Sequence, residues 1–218
     1  MTGFIFDLDG VIVDTAKYHY LAWKELARRL GFDFPIEHNE RQKGVSRMAS
    51  LEVLLEVGGI TDKTEEEKLA LADEKNGIYL TMIEELTSAN ILPGIPEFLS
   101  RLKQDGVKIA LGSASKSGGM ILERLGISDL FDVIVDGNLV SRPKPDPEVF
   151  ITAAKLLGLS PRDCVVVEDA QAGVEAALAM GSRVIGIGTA KQLGKADVVL
   201  ENTSMLEAFD YTELFRKR

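Results

Sequence analysis

Short apolar runs of strand length, each ending in polar residues, constrain the fold of this chain more than any other feature of its sequence. The clearest runs extend from Gly3 to Leu8, Lys108 to Gly112, Val133 to Val135, Cys164 to Val167 and Val184 to Ile187. Strands that are apolar along their whole length are typical of parallel sheets buried on both faces. Because helical segments lie between the later runs, the sequence predicts an α/β fold with a doubly wound, mostly parallel sheet.

A helical segment interrupts this pattern after the first strand. Apolar residues recur at three- and four-residue intervals from Lys17 to Leu30, and a second helix is predicted from Met48 to Val57. A third helix is expected after Thr64, where Thr64 and Glu67 form a capping box, and it extends to about Leu86.

We therefore expect two domains. Residues 1–14 and 90–218 would form a Rossmann-like α/β core, and residues 15–89 would form an inserted α-helical cap. In the core, Asp146-Pro147 predicts a helix with an acidic N-cap and proline at its first position, and Gly158 and Gly181 are expected to end helices.

Composition excludes several classes of partner. The 218 residues carry 25 Lys and Arg against 34 Asp and Glu, a net charge of −9, which argues against binding to nucleic acid or to an anionic membrane. No apolar run approaches the roughly 20 residues of a bilayer span, and the start of the chain does not resemble a secretory signal. Because Cys164 is the only cysteine, we expect a reducing, cytoplasmic location. We also expect a monomer, and the charge balance leaves a small anionic molecule possible as its ligand.

Polar residues follow four of the apolar runs, at the points where the strands are expected to end. These residues are Asp7, Asp9, Ser113, Lys144, Glu168 and Asp169. Because the carboxyl ends of parallel strands meet at one edge of a sheet, we expect these groups to converge there. The two-residue spacing of Asp7 and Asp9 also places both side chains on the same face of an extended backbone.

Four carboxylates at one edge would repel each other unless a cation lay among them. Oxygen ligands without histidine or cysteine favour a hard ion, and Mg²⁺ rather than Ca²⁺ at a phosphate site. Lys144 and Ser113 offer a charge and a hydroxyl to phosphoryl oxygens. The pattern indicates phosphoryl transfer, with Asp7 as the nucleophile and its neighbour Asp9 as a proton donor and acceptor.

Simpler interpretations of the same residues stay open at this point. Asp7 and Asp9 are also typical of a turn and a helix cap, and Glu168-Asp169 could cap a helix that begins near Gln171. Lys43 and Arg47 lie in a charged stretch, and such stretches are usually solvated.

Four segments, taken in order, resemble the signature motifs of the haloacid dehalogenase superfamily. They are Asp7-Leu8-Asp9-Gly10-Val11-Ile12-Val13-Asp14-Thr15, Ser113-Ala114-Ser115-Lys116, Pro143-Lys144-Pro145 and Glu168-Asp169. In order and spacing they cover the whole predicted core. In the cap, the segment Lys43-Gly44-Val45-Ser46-Arg47, with His19 and Ser50, resembles the sugar-phosphate mutases of that superfamily.

This resemblance implies a Mg²⁺-dependent isomerase that interconverts β-glucose 1-phosphate and glucose 6-phosphate through an aspartyl phosphate. The phosphoryl donor would be β-glucose 1,6-bisphosphate. The implied catalytic residues are Asp7, Asp9, Ser113 and Lys144, and the implied metal ligands are Asp7, the carbonyl of Asp9, Glu168 and Asp169. The implied substrate-binding residues are His19, Lys43, Gly44, Val45, Ser46, Arg47, Ser50, Lys75, Ala114, Ser115 and Lys116, of which Arg47, Ser115 and Lys116 would hold the distal phosphate.

Two other functions fit the same core. A phosphatase of a small sugar or organic phosphate would share the nucleophile, with water attacking the aspartyl phosphate. A signalling receiver would also place acids and a lysine at strand ends, but the predicted cap has no purpose there, and an acid two residues beyond the nucleophile favours turnover.

Overall fold

A computed structural model describes residues 2–42 and 47–216, and within them the chain forms two compact units. One unit consists of Met1–Asp14 and Leu86–Arg218, and the other of Thr15–Glu85. The second unit ends at Glu85, whereas the sequence pattern predicts that the cap extends to residue 89. Leu86 is 3% exposed and belongs to the first unit.

The first unit contains the strands and the later helices. Its strands are β1 (Gly3–Phe6), β2 (Lys108–Gly112), β3 (Val133–Val135), β4 (Cys164–Glu168), β5 (Arg183–Ile187) and β6 (Val198–Leu200). Its α-helices are α4 (Ile95–Gln104), α5 (Gly118–Leu125), α6 (Glu148–Leu157), α7 (Gln171–Met180), α8 (Ala190–Leu193) and α9 (Glu213–Arg216). The helical unit contains α1 (Ala16–Arg29), α2 (Arg47–Val57) and α3 (Glu65–Ile83).

The strands form one parallel sheet in the order β3-β2-β1-β4-β5-β6. Strand β1 lies at the centre, where Phe6 is in register with Leu111 of β2 and with Val167 of β4. This sheet confirms the predicted α/β class. The short strand β6 was not predicted, because three apolar residues between Asp197 and Glu201 carry too little pattern to be recognised.

Helices cover both faces of the sheet. Successive side chains of β1 point to opposite faces, and because all of them are apolar, both faces must be buried. Phe4 and Phe6 pack against Phe98 of α4, with ring centroids 5.3 and 6.0 Å apart. Ile5, between them, lies in a second buried cluster with residues of α6 and α7, among them Phe150 and Val174. All strands are parallel, so their carboxyl ends share one edge of the sheet. The polar residues that follow the strands collect at this edge, because both faces are covered.

Glycines end α6 and α7 as predicted: Gly158 and Gly181 are left-handed caps with φ of +70° and +88°. The prediction that Asp146 caps α6 with Pro147 inside the helix is wrong. Pro147 itself is the N-cap residue, and the Asp146 carboxylate accepts from the N–H of Glu148 at 3.0 Å.

In the helical unit, α3 packs against α1 and α2, and all three helices contribute to an apolar core. Trp23, Leu26, Phe34, Leu51 and Leu54 are the larger side chains of this cluster. The predicted capping box is present: Thr64 accepts from the N–H of Glu67 at 3.2 Å and donates its own N–H to the Glu67 carboxylate at 2.8 Å. No helix within residues 2–42 and 47–216 has the length and apolar character needed to cross a membrane.

Candidate active site

Asp7 lies where the central strand β1 ends. Its N–H donates to the carbonyl of Val167 at 3.0 Å, so the backbone continues the ladder to β4 for one residue beyond the strand. The residue is 7% exposed. The register of β1 between β2 and β4 therefore places Asp7 beside the segments that follow both neighbouring strands.

Lys144 joins two of the predicted acids through a buried ammonium group. Its Nζ lies 2.6 Å from Oδ1 of Asp7 and 2.7 Å from Oε1 of Glu168, and 4.7 Å from the centroid of the Phe150 ring. Burial lowers the pKa of Lys144, but the two carboxylates outweigh this effect and hold that pKa above its usual value. Lys144 is therefore charged, and it offsets one of the two negative charges beside it.

Asp9 differs from Asp7 in its surroundings. Burial, together with the nearby carboxylates of Asp7 and Asp169, raises the pKa of Asp9 to about 8. Its Oδ1 is buried and has no hydrogen-bond partner among the described residues. A carboxyl group kept protonated near neutral pH is able to donate a proton.

Asp7, Glu168 and Asp169 each contribute a carboxylate oxygen to a group whose ligand atoms lie within 4.8 Å of one another. Glu168 is 1% exposed, and burial raises its pKa although Lys144 opposes the shift. A cluster of three acids with a single ammonium group has an excess of negative charge, which a hard divalent cation would balance. The donor set fits such a cation, since it consists of oxygen atoms alone.

Two glycines leave room for these acids, and only Gly10 was part of a predicted motif. A Cβ at Gly10 would overlap the carboxylate of Asp169, and one at Gly173 would overlap that of Glu168. Gly10 also has φ of +75°, which an L side chain rarely adopts. The Asp9-Gly10 pair was a visible turn signal, but nothing in the local sequence shows that Gly173 on α7 approaches Glu168.

Serine hydroxyls order the loop that follows β2. Ser113 Oγ accepts from the N–H of Ser115 at 3.1 Å, and Ser115 Oγ accepts from the N–H of Ser117 at 3.3 Å. Because a hydroxyl accepts through its lone pairs and donates through its O–H, both serines keep a donor for an anion. Ala114 and Lys116 are exposed on the same loop.

The helical unit holds a second polar cluster, which contains two of the predicted substrate-binding residues. Lys75 is 3% exposed, and its Nζ lies 2.8 Å from Nδ1 of His19. Its Nζ also lies 4.9 Å from the ring centroid of Trp23 and 5.0 Å from that of Tyr79, on which His19 stacks. Since an ammonium group only donates, Nδ1 of His19 accepts, and the neutral ring carries its proton on Nε2. Burial and the charge of Lys75 lower the pKa of His19 to about 3.

Two further predicted residues lie on α2 in the same unit. Arg47 donates to Oδ1 of Asn76 at 2.9 Å and lies 3.5 Å from the carboxylate of Asp73, so its guanidinium is oriented by α3. Ser50 is 5% exposed, and its carbonyl accepts from the side chain of Gln42 at 2.9 Å. Lys43, Gly44, Val45 and Ser46 lie outside the described residues. Asn76 was missed, although it follows Lys75 directly in the sequence.

Comparisons with known proteins identify the family of this chain. A family model described as haloacid dehalogenase-like hydrolase matches residues 1–181. The chain is 45% identical over 207 residues to the β-phosphoglucomutase of Bacillus subtilis (strain 168), covering 94% of this chain and 92% of that protein. It is 32% identical over 199 residues to the phosphorylated carbohydrates phosphatase of Thermotoga maritima, covering 90% and 89%. The crystal structure of β-phosphoglucomutase from Clostridium difficile matches with a TM-score of 0.89 at 44% identity and covers 100% of this chain and 98% of that one.

We expect Asp169→Asn to weaken Mg²⁺ binding at least about tenfold, because even an outer partner of a metal ligand typically contributes that much. Titration calorimetry of the purified protein measures the affinity directly. The matched control is Asp129→Asn, since Asp129 is an exposed acid that precedes β3 and so lies at the opposite end of the strands. Equal Mg²⁺ affinity in the two variants would contradict the assignment of the acid cluster.

We expect the folded protein to lose stability in mild acid because the pKa of His19 is lowered. Its pKa is about 3 in the folded chain and about 6.5 when unperturbed, so below pH 6.5 the unfolded chain takes up a proton that the folded chain does not. The stability that neutral His19 contributes is complete above pH 6.5 and is lost progressively as the pH falls toward 3. Urea unfolding should show that the wild type loses stability relative to His19→Gln as the pH falls from about 7 to about 5. His38→Gln is the control, and a pH-independent difference for His19→Gln would refute the prediction.

Proposed function

Because the chain belongs to the haloacid dehalogenase-like hydrolase family, we propose that it is a Mg²⁺-dependent β-phosphoglucomutase. It interconverts β-glucose 1-phosphate and glucose 6-phosphate through an aspartyl phosphate and β-glucose 1,6-bisphosphate. The observation that carries this proposal is the contrast between two acids two residues apart. Asp7 is ion-paired to Lys144, whereas burial raises the pKa of Asp9 to about 8.

In the first half-reaction, a carboxylate oxygen of Asp7 attacks the phosphorus of the bisphosphate. The bond between that phosphorus and the sugar oxygen breaks, and the oxygen leaves with the proton of Asp9. In the second half-reaction, a sugar hydroxyl gives its proton to Asp9 as its oxygen attacks the phosphorus of the aspartyl phosphate, and Asp7 is released. Asp9 is thus acid and then base, and its proton is restored in each full cycle.

The carboxylates of Asp7, Glu168 and Asp169, with the main-chain carbonyl of Asp9, would hold Mg²⁺. When bound, Mg²⁺ offsets the charge of these acids and of the phosphoryl group. Lys144 holds Asp7 in place through its 2.6 Å ion pair and presents an ammonium group to phosphoryl oxygens. The O–H of Ser113 donates to the same group, since its Oγ already accepts from Ser115.

A mutase must also bind the phosphate that is not being transferred. We assign this role to Ser115 and Lys116 of the loop after β2 and to Arg47, whose planar guanidinium suits bidentate binding of phosphate. Main-chain groups of Ala114 assist. For the sugar we assign His19, Ser50, Lys75 and the segment Lys43-Gly44-Val45-Ser46, with the Nε2–H of neutral His19 as a donor to a sugar or carboxylate oxygen.

The alternative is a phosphatase of a small sugar or organic phosphate, in which water replaces the second sugar hydroxyl. The phosphatase from Thermotoga maritima among the relatives supports keeping it, but the mutases share more of this sequence. The receiver hypothesis is not retained, because the matched family and these relatives are enzymes.

Product analysis tests the proposal. With Mg²⁺ and a trace of β-glucose 1,6-bisphosphate, the purified chain should convert β-glucose 1-phosphate to glucose 6-phosphate, measured with a coupled dehydrogenase. Release of free glucose and inorganic phosphate as the main products would favour the phosphatase. Removal of Mg²⁺ with a chelator should abolish either reaction, and added Mg²⁺ should restore it.

Asp9→Asn should lower the rate of phosphoryl transfer to and from the sugar by about 10² to 10⁴, the usual contribution of general acid–base catalysis. Mg²⁺ affinity should largely survive, because the main-chain carbonyl of residue 9 is kept. Asp129→Asn controls for the loss of one acid. Near-normal turnover of Asp9→Asn would remove Asp9 from the mechanism.

A further inference from the structure

We propose that Asn138 is a positioning residue for the distal-phosphate loop, which we define as residues 114–117. The inference rests on the proposed function, in which Ser115 and Lys116 bind the phosphate that is not being transferred. Asn138 lies after β3 and contributes no atom to the transfer chemistry. It acts through the backbone of the loop.

The contact that carries the proposal joins two segments about twenty residues apart in sequence. Nδ2 of Asn138 donates to the carbonyl of Lys116 at 2.9 Å. The N–H of the preceding residue, Gly137, donates to the carbonyl of Ser115 at 3.0 Å. Two successive carbonyls of the loop, which belong to the two residues assigned to the distal phosphate, are therefore held by one turn.

The Gly137–Asn138 turn is itself fixed. The carboxylate of Asp136, the first residue after β3, accepts from the N–H of Asn138 at 2.9 Å. Since β3 pairs with β2, and Ser113 continues that pairing by donating its N–H to the carbonyl of Val135 at 3.0 Å, the turn and the loop extend from neighbouring strands. The hydrogen bonds thus connect the loop to the sheet that also carries Asp7.

Gly137 permits this close approach because it lacks a side chain. A Cβ at this position would overlap the carbonyl oxygen of Ala114 and would lie 3.2 Å from Cγ of Lys116. Gly137 is not among the glycines with positive φ, so its backbone does not require glycine. Glycine is needed at this position because the loop occupies the space that a side chain would fill. The aliphatic part of the Lys116 side chain lies close to it.

The chemistry explains why this loop needs an anchor. Lys116 is exposed and makes no ion pair with any residue within 2–42 and 47–216, and a lysine side chain loses much conformational freedom when it binds. A bisphosphate must place one phosphate at Asp7 while the other is bound at a fixed distance. Anchoring the carbonyls of Ser115 and Lys116 removes backbone freedom before the substrate arrives, which lowers the cost of binding the second phosphate.

The test is a comparison of two phosphoryl donors in Asn138→Ala. The KM for β-glucose 1,6-bisphosphate should rise about three- to tenfold, the effect of one hydrogen bond, with kcat largely kept. The rate at which acetyl phosphate phosphorylates Asp7 should not change, because that donor has no second phosphate. Asn138→Gln keeps an amide donor and should recover part of the lost affinity. Gly137→Ala, which displaces the loop, should raise the same KM more than Asn138→Ala does.

Asn202→Ala is the matched control. Asn202 is an exposed asparagine of the same unit, whose Oδ1 accepts from the N–H of Ser204 at 3.1 Å as a helix cap. Asn202→Ala should lower thermal stability but should change neither the KM for β-glucose 1,6-bisphosphate nor the rate of phosphorylation by acetyl phosphate. The proposal would be overturned if the KM of Asn138→Ala for β-glucose 1,6-bisphosphate did not change. It would also be overturned if the rate of phosphorylation by acetyl phosphate fell by the same factor as that KM rises.

A failure of the proposed function is visible separately, because it appears in the wild type as no glucose 6-phosphate from β-glucose 1-phosphate. Amide hydrogen exchange then decides the role of Asn138 without any substrate. Faster exchange of the Gly137 and Ser117 amides in Asn138→Ala, but not in Asn202→Ala, supports the anchoring of the loop. Unchanged exchange overturns it.

Discussion

One buried ammonium group determines how the acids of this protein can coexist. Lys144 lies between Asp7 and Glu168 at 2.6 and 2.7 Å, where water is largely excluded. Removing one partner of such a buried group leaves an uncompensated charge, which typically costs about 3–5 kcal/mol. The lysine pairs with Asp7 and Glu168, and because one ammonium group does not balance three acids, the cluster keeps an excess of negative charge that favours a cation. Asp9 lies outside this ion-paired group, and its raised pKa lets it retain a proton near neutral pH.

The sheet supplies the precision that this arrangement requires. β1 is paired on both sides, and the ladder continues through the N–H of Asp7, so the backbone of Asp7 is held to β4. Glycines at positions 10 and 173 then allow Asp169 and Glu168 to approach where any side chain would exclude them. The site is thus determined by backbone pairing together with the absence of side chains at specific points, in addition to the acids themselves.

Features that depend on local pattern could be predicted from the sequence, and features that depend on contacts between distant segments could not. The apolar runs predicted β2 and β3 with the bounds that the structure has, and Thr64 and Glu67 predicted their capping box. The convergence of Asp7, Lys144 and Glu168 followed from the rule that parallel strands end together. The pairing of His19 with Lys75 and of Asn138 with Lys116 joins positions far apart in sequence, and such contacts leave no periodic signal.

The placement of β1 has a consequence for how the chain comes to be folded. Gly3 pairs with Lys108 on one side and with Cys164 on the other, so β1 is synthesised well before both of the strands that enclose it. Residues 15–85, which form a compact unit of their own, are also synthesised before either neighbour. Until both neighbours have been made, β1 is an apolar strand with unpaired edges, the state in which strands are most open to pairing with other chains and to capture by chaperones.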